Sequence, residues 1–197
     1  MHIPDGFIDI PTSAAFAAIA AGAVALSLKG AKSSLDDKTA PLAGLTATFI
    51  FAVQMLNFPV AAGTSGHLLG AALATVLVGP YAATLALTIV LLLQALLFAD
   101  GGLSALGLSA FNMSIVAVWF SYAIFFTLKK ILPKTKSSTA AAAGIAALIS
   151  VPAAAASFVL QYAIGANATF SVSAVLAAMI GTHVLIGIGE ALITLFA

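Results

Sequence analysis

Seven long apolar runs, separated by short polar breaks, dominate this sequence of 197 residues and limit what it can fold into. In chain order they cover residues 13–28, 40–58, 67–78, 81–99, 108–128, 140–163 and 173–196. A helix that crosses the hydrocarbon core of a bilayer needs about 20 apolar residues. We therefore predict an all-α, polytopic membrane protein with about seven transmembrane helices, forming a single transmembrane domain over residues 1–197.

The scarcity of charge excludes several classes of protein. Only 7% of the residues are charged, against roughly a quarter in a soluble domain, which excludes an ordinary soluble enzyme and a soluble nucleic-acid binder. There is no cysteine, so disulfides and thiolate metal sites are excluded. There is also no arginine, the residue that most often holds phosphate or carboxylate in a bidentate fork.

The third run, residues 67–78, is the shortest. As a helix rising 1.5 Å per residue it covers only about 18 Å, so it either crosses the membrane incompletely or re-enters from one side. Pro80 disfavours helix at the residue before it, and this divides the third run from the fourth at Gly79-Pro80.

Lysine placement predicts the orientation. All seven lysines fall within residues 29–38 and 129–136. Loops rich in lysine stay in the cytoplasm, and with seven spans both loops are cytoplasmic if the N-terminus is outside. Asp5, Asp9 and Asp100 then face outward. We expect the protein in the cell inner (plasma) membrane, with lipid as its surroundings.

The first two residues predict a metal chelate. The Met1 amine, the His2 amide nitrogen and the His2 Nδ1 can close a five-membered and a six-membered ring around one ion. Three nitrogens in a plane favour square-planar Ni(II) or Cu(II), and also Co(II). The sequence Pro4-Asp5-Gly6 predicts a type I turn with Pro at its second position, which folds the N-terminus back into the mouth of the helical bundle.

His67 is the candidate for the fourth ligand, because it starts the third run on the same side of the membrane as Met1. Asp5 either serves the turn or supplies a nearby negative charge. His183 and Glu190 are seven residues apart, hence on one face of the last helix. They form either a buried polar network that fixes helix packing or a second metal position or relay. As partners they have each other, or Gln54, Asn57 or Gln161.

A rival motif lies in the same region. Gly63-Thr-Ser65-Gly66 supplies a serine and His183 a distant base, as in rhomboid-type intramembrane serine proteases. A Trp-Arg pair and a His-x-x-x-Asn run, which such proteases carry, are missing from the sequence. A zinc protease is not supported either, because there is no His-Glu-x-x-His.

Two motifs resemble the CbiM/NikM family of cobalt and nickel transport proteins. They are the N-terminal Met1-His-Ile-Pro-Asp-Gly-Phe7 and Gly63-Thr-Ser-Gly-His-Leu-Leu-Gly70; the late segments 183–187 and 189–194 are similar to the last helix of that family. The resemblance implies a seven-helix bundle with an extracellular N-terminus inserted into it. It also implies a metal held by the Met1 amine, the His2 amide and imidazole, and the His67 imidazole.

The resemblance further implies the partners of an energy-coupling-factor (ECF) transporter, namely a transmembrane coupling subunit (the T component) and cytoplasmic ATPase subunits. The chain has no Walker motif, so ATP hydrolysis is expected from another polypeptide. A small accessory membrane subunit, where needed, is expected as a separate chain. In such transporters the coupling subunit docks on an alanine-rich face of the first helix, which this chain offers at Ala14, Ala17, Ala18, Ala21 and Ala25.

The sequence therefore predicts a non-enzymatic, substrate-specific (S) component that imports Ni(II) or Co(II). The alternative is an intramembrane serine protease using Ser65 and His183. The four nitrogens suit both metals, so the choice between nickel and cobalt stays open.

Overall fold

The structure is a computed structural model, and it describes residues 1–37, 39–60 and 65–197. In chain order the elements are α1 Ile10–Ser34, α2 Thr39–Gln54, β1 Phe58–Pro59, β2 Ser65–Gly66, α3 Ala71–Phe98, α4 Leu106–Ala110, a π-helical stretch Phe111–Val116, α5 Ala117–Ile131, α6 Lys136–Gly165 and α7 Val172–Phe196. The helices α4 and α5 and the π-helical stretch between them follow one another without a break.

Membrane-spanning length is present in most of these helices. Of the described residues, five helical stretches are long and apolar enough to cross a bilayer: Ile10–Ser34, Ala71–Phe98, Leu106–Ile131, Lys136–Gly165 and Val172–Phe196. Helix α2 is apolar but shorter. The prediction of a helical, multi-pass membrane protein is confirmed, whereas the count of seven transmembrane helices stays a prediction.

The third apolar run does not form a spanning helix of its own. Residues 67–70 are not helical, and α3 begins at Ala71 after Gly70, whose φ is 74°. The predicted break lies at Gly79, where φ is 77° and ψ is 165°, a conformation that is essentially restricted to glycine. The part of α3 before Gly79 rises only about 12 Å at 1.5 Å per residue, too little to cross a bilayer core.

The lysines and the predicted outer aspartates lie at opposite ends of the bundle. Asp9 caps the start of α1, accepting a hydrogen bond from the Thr12 amide at 2.8 Å, and its own amide donates to the carbonyl of Gly165, the last residue of α6, at 2.7 Å. The start of α1 therefore lies beside the end of α6, and the two helices run antiparallel. Lys32, near the end of α1, and Lys136, at the start of α6, consequently lie far from Asp9. Lys38 lies outside the described residues. This separation suits the lysine rule, and the side that faces the cytoplasm stays a prediction.

Small residues allow helices α6 and α7 to approach closely. A Cβ added at Gly187 of α7 would lie 2.9 Å from the Leu148 carbonyl oxygen of α6, and one at Gly144 would lie 3.3 Å from the Ala191 carbonyl oxygen. Close backbone approach of this kind is the usual basis of helix association in a membrane. Helix α6 continues through Pro152 without interruption.

The N-terminal segment is inserted among the helices. Met1 and Ile3 have no exposed surface and belong to the main hydrophobic core. The turn that follows differs from the predicted type I turn, because the Phe7 amide donates to the Pro4 carbonyl at 3.3 Å, which makes Pro4 the first residue. Gly6 then takes the third position with a φ of 74°, as a type II turn requires.

The structure also contains short β pairings, which the all-α prediction did not include. β1 and β2 form an antiparallel pair, with Phe58 opposite Gly66, and Ile8 makes an isolated bridge with Ala166. β2 leads directly into His67, so this pairing and the inserted N-terminus meet beside the predicted ligands.

Candidate metal site

The Met1 amine lies at the centre of the candidate site. It is fully buried, donates a hydrogen bond to the Ser65 carbonyl at 2.7 Å, and lies 3.1 Å from Nε2 of His67. Two main-chain bonds hold the segment behind it: the Ile3 amide donates to Ser109 Oγ at 3.2 Å, and the Ile3 carbonyl accepts from the Gly102 amide at 2.8 Å. Both the amide and the carbonyl of Ile3 are thus hydrogen bonded, and these bonds hold in place the inserted segment that carries the amine.

The His67 ring is oriented for coordination. Its Nδ1 lies 2.9 Å from the Leu68 carbonyl oxygen, which can only accept, so Nδ1 carries the proton and donates. The neutral ring then keeps its lone pair on Nε2, the atom that faces the Met1 amine. A hydrogen bond from one ring nitrogen of histidine commonly orients the other toward a metal.

The distance between the Met1 amine and His67 Nε2 is close to that of neighbouring nitrogens around a square-planar ion. In a square with bonds of about 2.0 Å, neighbouring nitrogens lie about 2.8 Å apart. In the predicted chelate the Met1 amine and His67 Nε2 are neighbours, and they lie 3.1 Å apart. The rings of His2 and His67 are also adjacent, with centroids 4.8 Å apart. The structure therefore brings Met1, His2 and His67 together, as the sequence predicted.

Burial keeps these nitrogens neutral. Burial lowers the pKa of the Met1 amine to about 5, an effect that the Asp100 carboxylate partly opposes. The pKa of His2 falls to about 3, because of burial and then the nearby amine, and that of His67 falls well below its usual value, mainly through burial. Metal ligands must be deprotonated, and near pH 7 all three groups already are.

Asp100 is a part of the site that the sequence analysis missed. One of its carboxylate oxygens, Oδ2, lies 3.6 Å from His2 Nε2 and accepts a hydrogen bond from Asn57 at 2.9 Å. Nε2 of His2 is buried and has no hydrogen-bond partner. If Nδ1 of His2 binds a metal, Nε2 carries the proton, and the Asp100 carboxylate is placed to accept a hydrogen bond from that N–H group, as carboxylates often do behind a metal-binding histidine.

Glycines make room for His2 beside Asp100. Gly101 has a φ of 91°, and an added Cβ there would lie 3.1 Å from His2 Cβ and 3.2 Å from His2 Nδ1. A cavity of about 370 Å³ opens at this end of the bundle, lined by His2, Pro4, Asp5, Ser65 and residues 99–102. The cavity therefore reaches His2, one of the predicted ligands.

Asp5 serves the local structure. Its carboxylate accepts hydrogen bonds from the amide and the hydroxyl of Ser104, which lower the pKa of Asp5. These bonds fasten the turn of the N-terminal segment to the loop after α3. Of the two roles predicted for Asp5, the structure supports the role in the turn.

The protease alternative lacks its nucleophile–base contact. The hydroxyl of Ser65 is buried without a hydrogen-bond partner, and so is Nε2 of His183, while Nδ1 of His183 lies 2.7 Å from the Met179 carbonyl oxygen. The two side chains are therefore not hydrogen bonded to each other. Gly63 and Thr64 of the motif lie outside the described residues.

Side chains alone do not make a metal site in the described part of the chain. It contains no group of three or more His, Cys, Asp or Glu side chains placed to hold an ion. A metal bound at His2 and His67 therefore needs main-chain nitrogens as well, and the Met1 amine is such a nitrogen.

Comparison with known proteins identifies the family of this chain. The family model for CbiM, described as a cobalt uptake substrate-specific transmembrane region, matches residues 2–197. The chain belongs to the CbiM family. This places it among proteins of cobalt and nickel transport with membrane-spanning helices.

Individual relatives of this CbiM-family chain carry transport names. A protein of Haloquadratum walsbyi, provisionally named as a metal transport protein, is 39% identical over 98% of this chain and 86% of its own length. The cobalt transport protein CbiM of Clostridioides difficile is 36% identical over 66% of this chain, a match that spans 53% of that relative. A crystal structure of a transition metal transporter superposes with a TM-score of 0.91 at 30% identity, covering 100% of this chain and 90% of that one.

Proposed function

We propose that this chain is the substrate-binding S component of an ECF-type transporter and that it binds Ni(II) or Co(II) through four nitrogens. The ligands are the Met1 amine, the amide nitrogen and Nδ1 of His2, and Nε2 of His67. The observation that carries the proposal is the buried Met1 amine 3.1 Å from His67 Nε2. A neutral amine buried at this position keeps a lone pair available for a metal ion, and burying such a polar group is costly unless it is well paired.

Capture proceeds from the outer cavity. The ion enters beside Asp100, whose carboxylate attracts it, and exchanges its water for the neutral amine and imidazoles. The His2 amide loses its proton to complete two fused chelate rings, which hold three nitrogens in one plane. The amide proton is released to water, His67 occupies the remaining position in that plane, and Asp100 is placed to accept a hydrogen bond from the Nε2–H group of His2.

The remaining partners follow from the same proposal. The chain acts as one transmembrane substrate-binding domain, residues 1–197, in the plasma membrane with its N-terminus outside. It is not an enzyme; the T component and the ATPase subunits, with a small accessory membrane subunit in some systems, supply the energy coupling. Of the five alanines of α1 that the resemblance implies for docking, four are exposed on the outside of the bundle and are available to the T component: Ala14, Ala18, Ala21 and Ala25.

Extension of the N-terminus tests this function. The chelate needs a primary amine directly before His2, so one added residue should abolish high-affinity binding, whereas a C-terminal tag should not. Calorimetric titration of both forms with Ni(II) and Co(II) gives the comparison. Equal affinities would rule out the N-terminal site.

A pair of substitutions separates the transporter from the protease. His67→Ala removes one ligand and should abolish high-affinity binding in a folded protein. Ser65→Ala leaves the Ser65 carbonyl in place and should keep binding largely intact. Loss of transport in Ser65→Ala with metal binding retained would instead favour a role for the hydroxyl.

A further inference from the structure

The segment that carries His67 has little regular structure of its own. It links β2, which ends at Gly66, to α3, which begins at Ala71. The first amides of a helix have no partner within the helix, and Gly70, which precedes α3, has no side chain of its own to cap them. The direction in which the His67 ring points therefore depends on what holds residues 68–70.

Two side chains from other helices hold this segment. The carboxylate of Glu190, on α7, accepts hydrogen bonds from the Leu69 amide and from the Gly70 amide, the second at 2.7 Å. The side-chain amide of Gln54, at the end of α2, donates to the Leu69 carbonyl at 2.8 Å. The main chain two and three residues after His67 is thus fixed from both sides.

The carboxylate of Glu190 lies in mostly apolar surroundings, where the Leu69 and Gly70 amides have little access to water. Glu190 is 3% exposed, and the cavity beside it measures only about 20 Å³ and is lined mostly by apolar side chains, including Ile50, Leu73 and Ile193. That volume holds about one water molecule, so bulk water cannot replace the carboxylate. An ionisable side chain within a membrane helix is costly and tends to mark a functional position.

We propose that Glu190 is a positioning residue for the metal site, which acts through the main chain of residues 69 and 70 to keep His67 Nε2 facing the Met1 amine. Gln54 supports the same segment from α2. The inference rests on the proposed function, and it gives Glu190 a role other than a second metal position or a pair with His183.

Metal titration of the full chain, tagged at its C-terminus, tests this role. Glu190→Leu removes both acceptors and should weaken Ni(II) binding about 10–100-fold, the range typical of groups that orient metal ligands. The visible spectrum of its nickel complex should shift toward that of His67→Ala. Glu190→Gln keeps an acceptor oxygen and should restore affinity and spectrum to near those of the wild type. Asn112→Leu, which removes a buried bond to Gln161, is the control and should bind as the wild type does.

Each outcome has a defined meaning. A folded Glu190→Leu protein with the wild-type spectrum and affinity would overturn the inference, and so would a Glu190→Gln protein as impaired as Glu190→Leu. If Glu190→Leu does not fold, Gln54→Leu decides: a smaller shift in the same direction supports the inference, and an unchanged spectrum overturns it. A wild-type protein without a nitrogen-only spectrum would overturn the proposed function too, whereas the other outcomes bear on Glu190 alone.

Discussion

At the scale of single residues, burial of the Met1 amine predicts how many protons metal binding releases. Its pKa of about 5 and that of about 3 for His2 leave both groups neutral at pH 7. Only the His2 amide then has a proton to lose, so about one proton should be released per metal. Affinity should rise about tenfold per pH unit near neutrality and more steeply below about pH 5, where the amine is protonated.

Calorimetry at pH 7 in two buffers of different ionisation enthalpy measures this number. An exposed amine with the ordinary pKa of 8.0 would be mostly protonated at pH 7 and would release a second proton. A measured release of two or more protons would therefore contradict the buried, neutral amine.

Asp100 gives a second prediction at this scale. Asp100→Asn removes the carboxylate that is placed to accept a hydrogen bond from the Nε2–H group of His2 and should weaken Ni(II) or Co(II) binding about 10–100-fold. Asp9→Asn makes the same chemical change at the cap of α1, where asparagine caps equally well, and should bind as the wild type does. Equal losses in the two variants would mean that negative charge at this end of the bundle matters and contact with His2 does not.

At the scale of elements, the apolar runs predicted the helices well but not how the segments between them fold. Hydropathy located α1, α6 and α7, since it depends only on the local sequence. It did not predict that residues 67–70 are not helical, because the hydrogen bonds of Leu69 and Gly70 go to Glu190 and Gln54, which are far from them in the sequence. The π-helical stretch at 111–116 lies within one apolar run and was not predicted.

A substitution in the loop after α3 gives the prediction at the scale of elements. Gly101 combines a φ of 91° with close approach to His2. In Gly101→Ala the positive φ costs about 1–2 kcal/mol, and the added methyl group displaces the His2 ring. We expect a folded protein with at least tenfold weaker metal binding. Gly22→Ala is the control, because an added Cβ there meets nothing within 4 Å. Unchanged binding in Gly101→Ala would show that the His2 ring has room to move.

At the scale of the whole molecule, the sequence singled out three residues that the structure brings together and did not single out their neighbours, for one reason. Met1, His2 and His67 could be predicted because a chelate at residue 1 and a histidine in a membrane protein are unusual in themselves. Asp100 and Asn57 are ordinary polar residues of two loops. Their role depends on how the loops after α2 and α3 meet the inserted N-terminus, and that meeting is set by packing of the whole bundle. Glu190 was noticed in the sequence, but its partners in residues 69 and 70 were not.

The central claim is that the whole bundle serves to hold one ion in a plane of four nitrogens. X-ray absorption at the nickel edge of the Ni(II)-loaded full chain, recorded together with its optical spectrum, tests this most directly. We predict a four-coordinate, square-planar, low-spin and yellow site with nitrogen ligands only. A six-coordinate, paramagnetic site rich in oxygen ligands would contradict the account, even if nickel bound tightly.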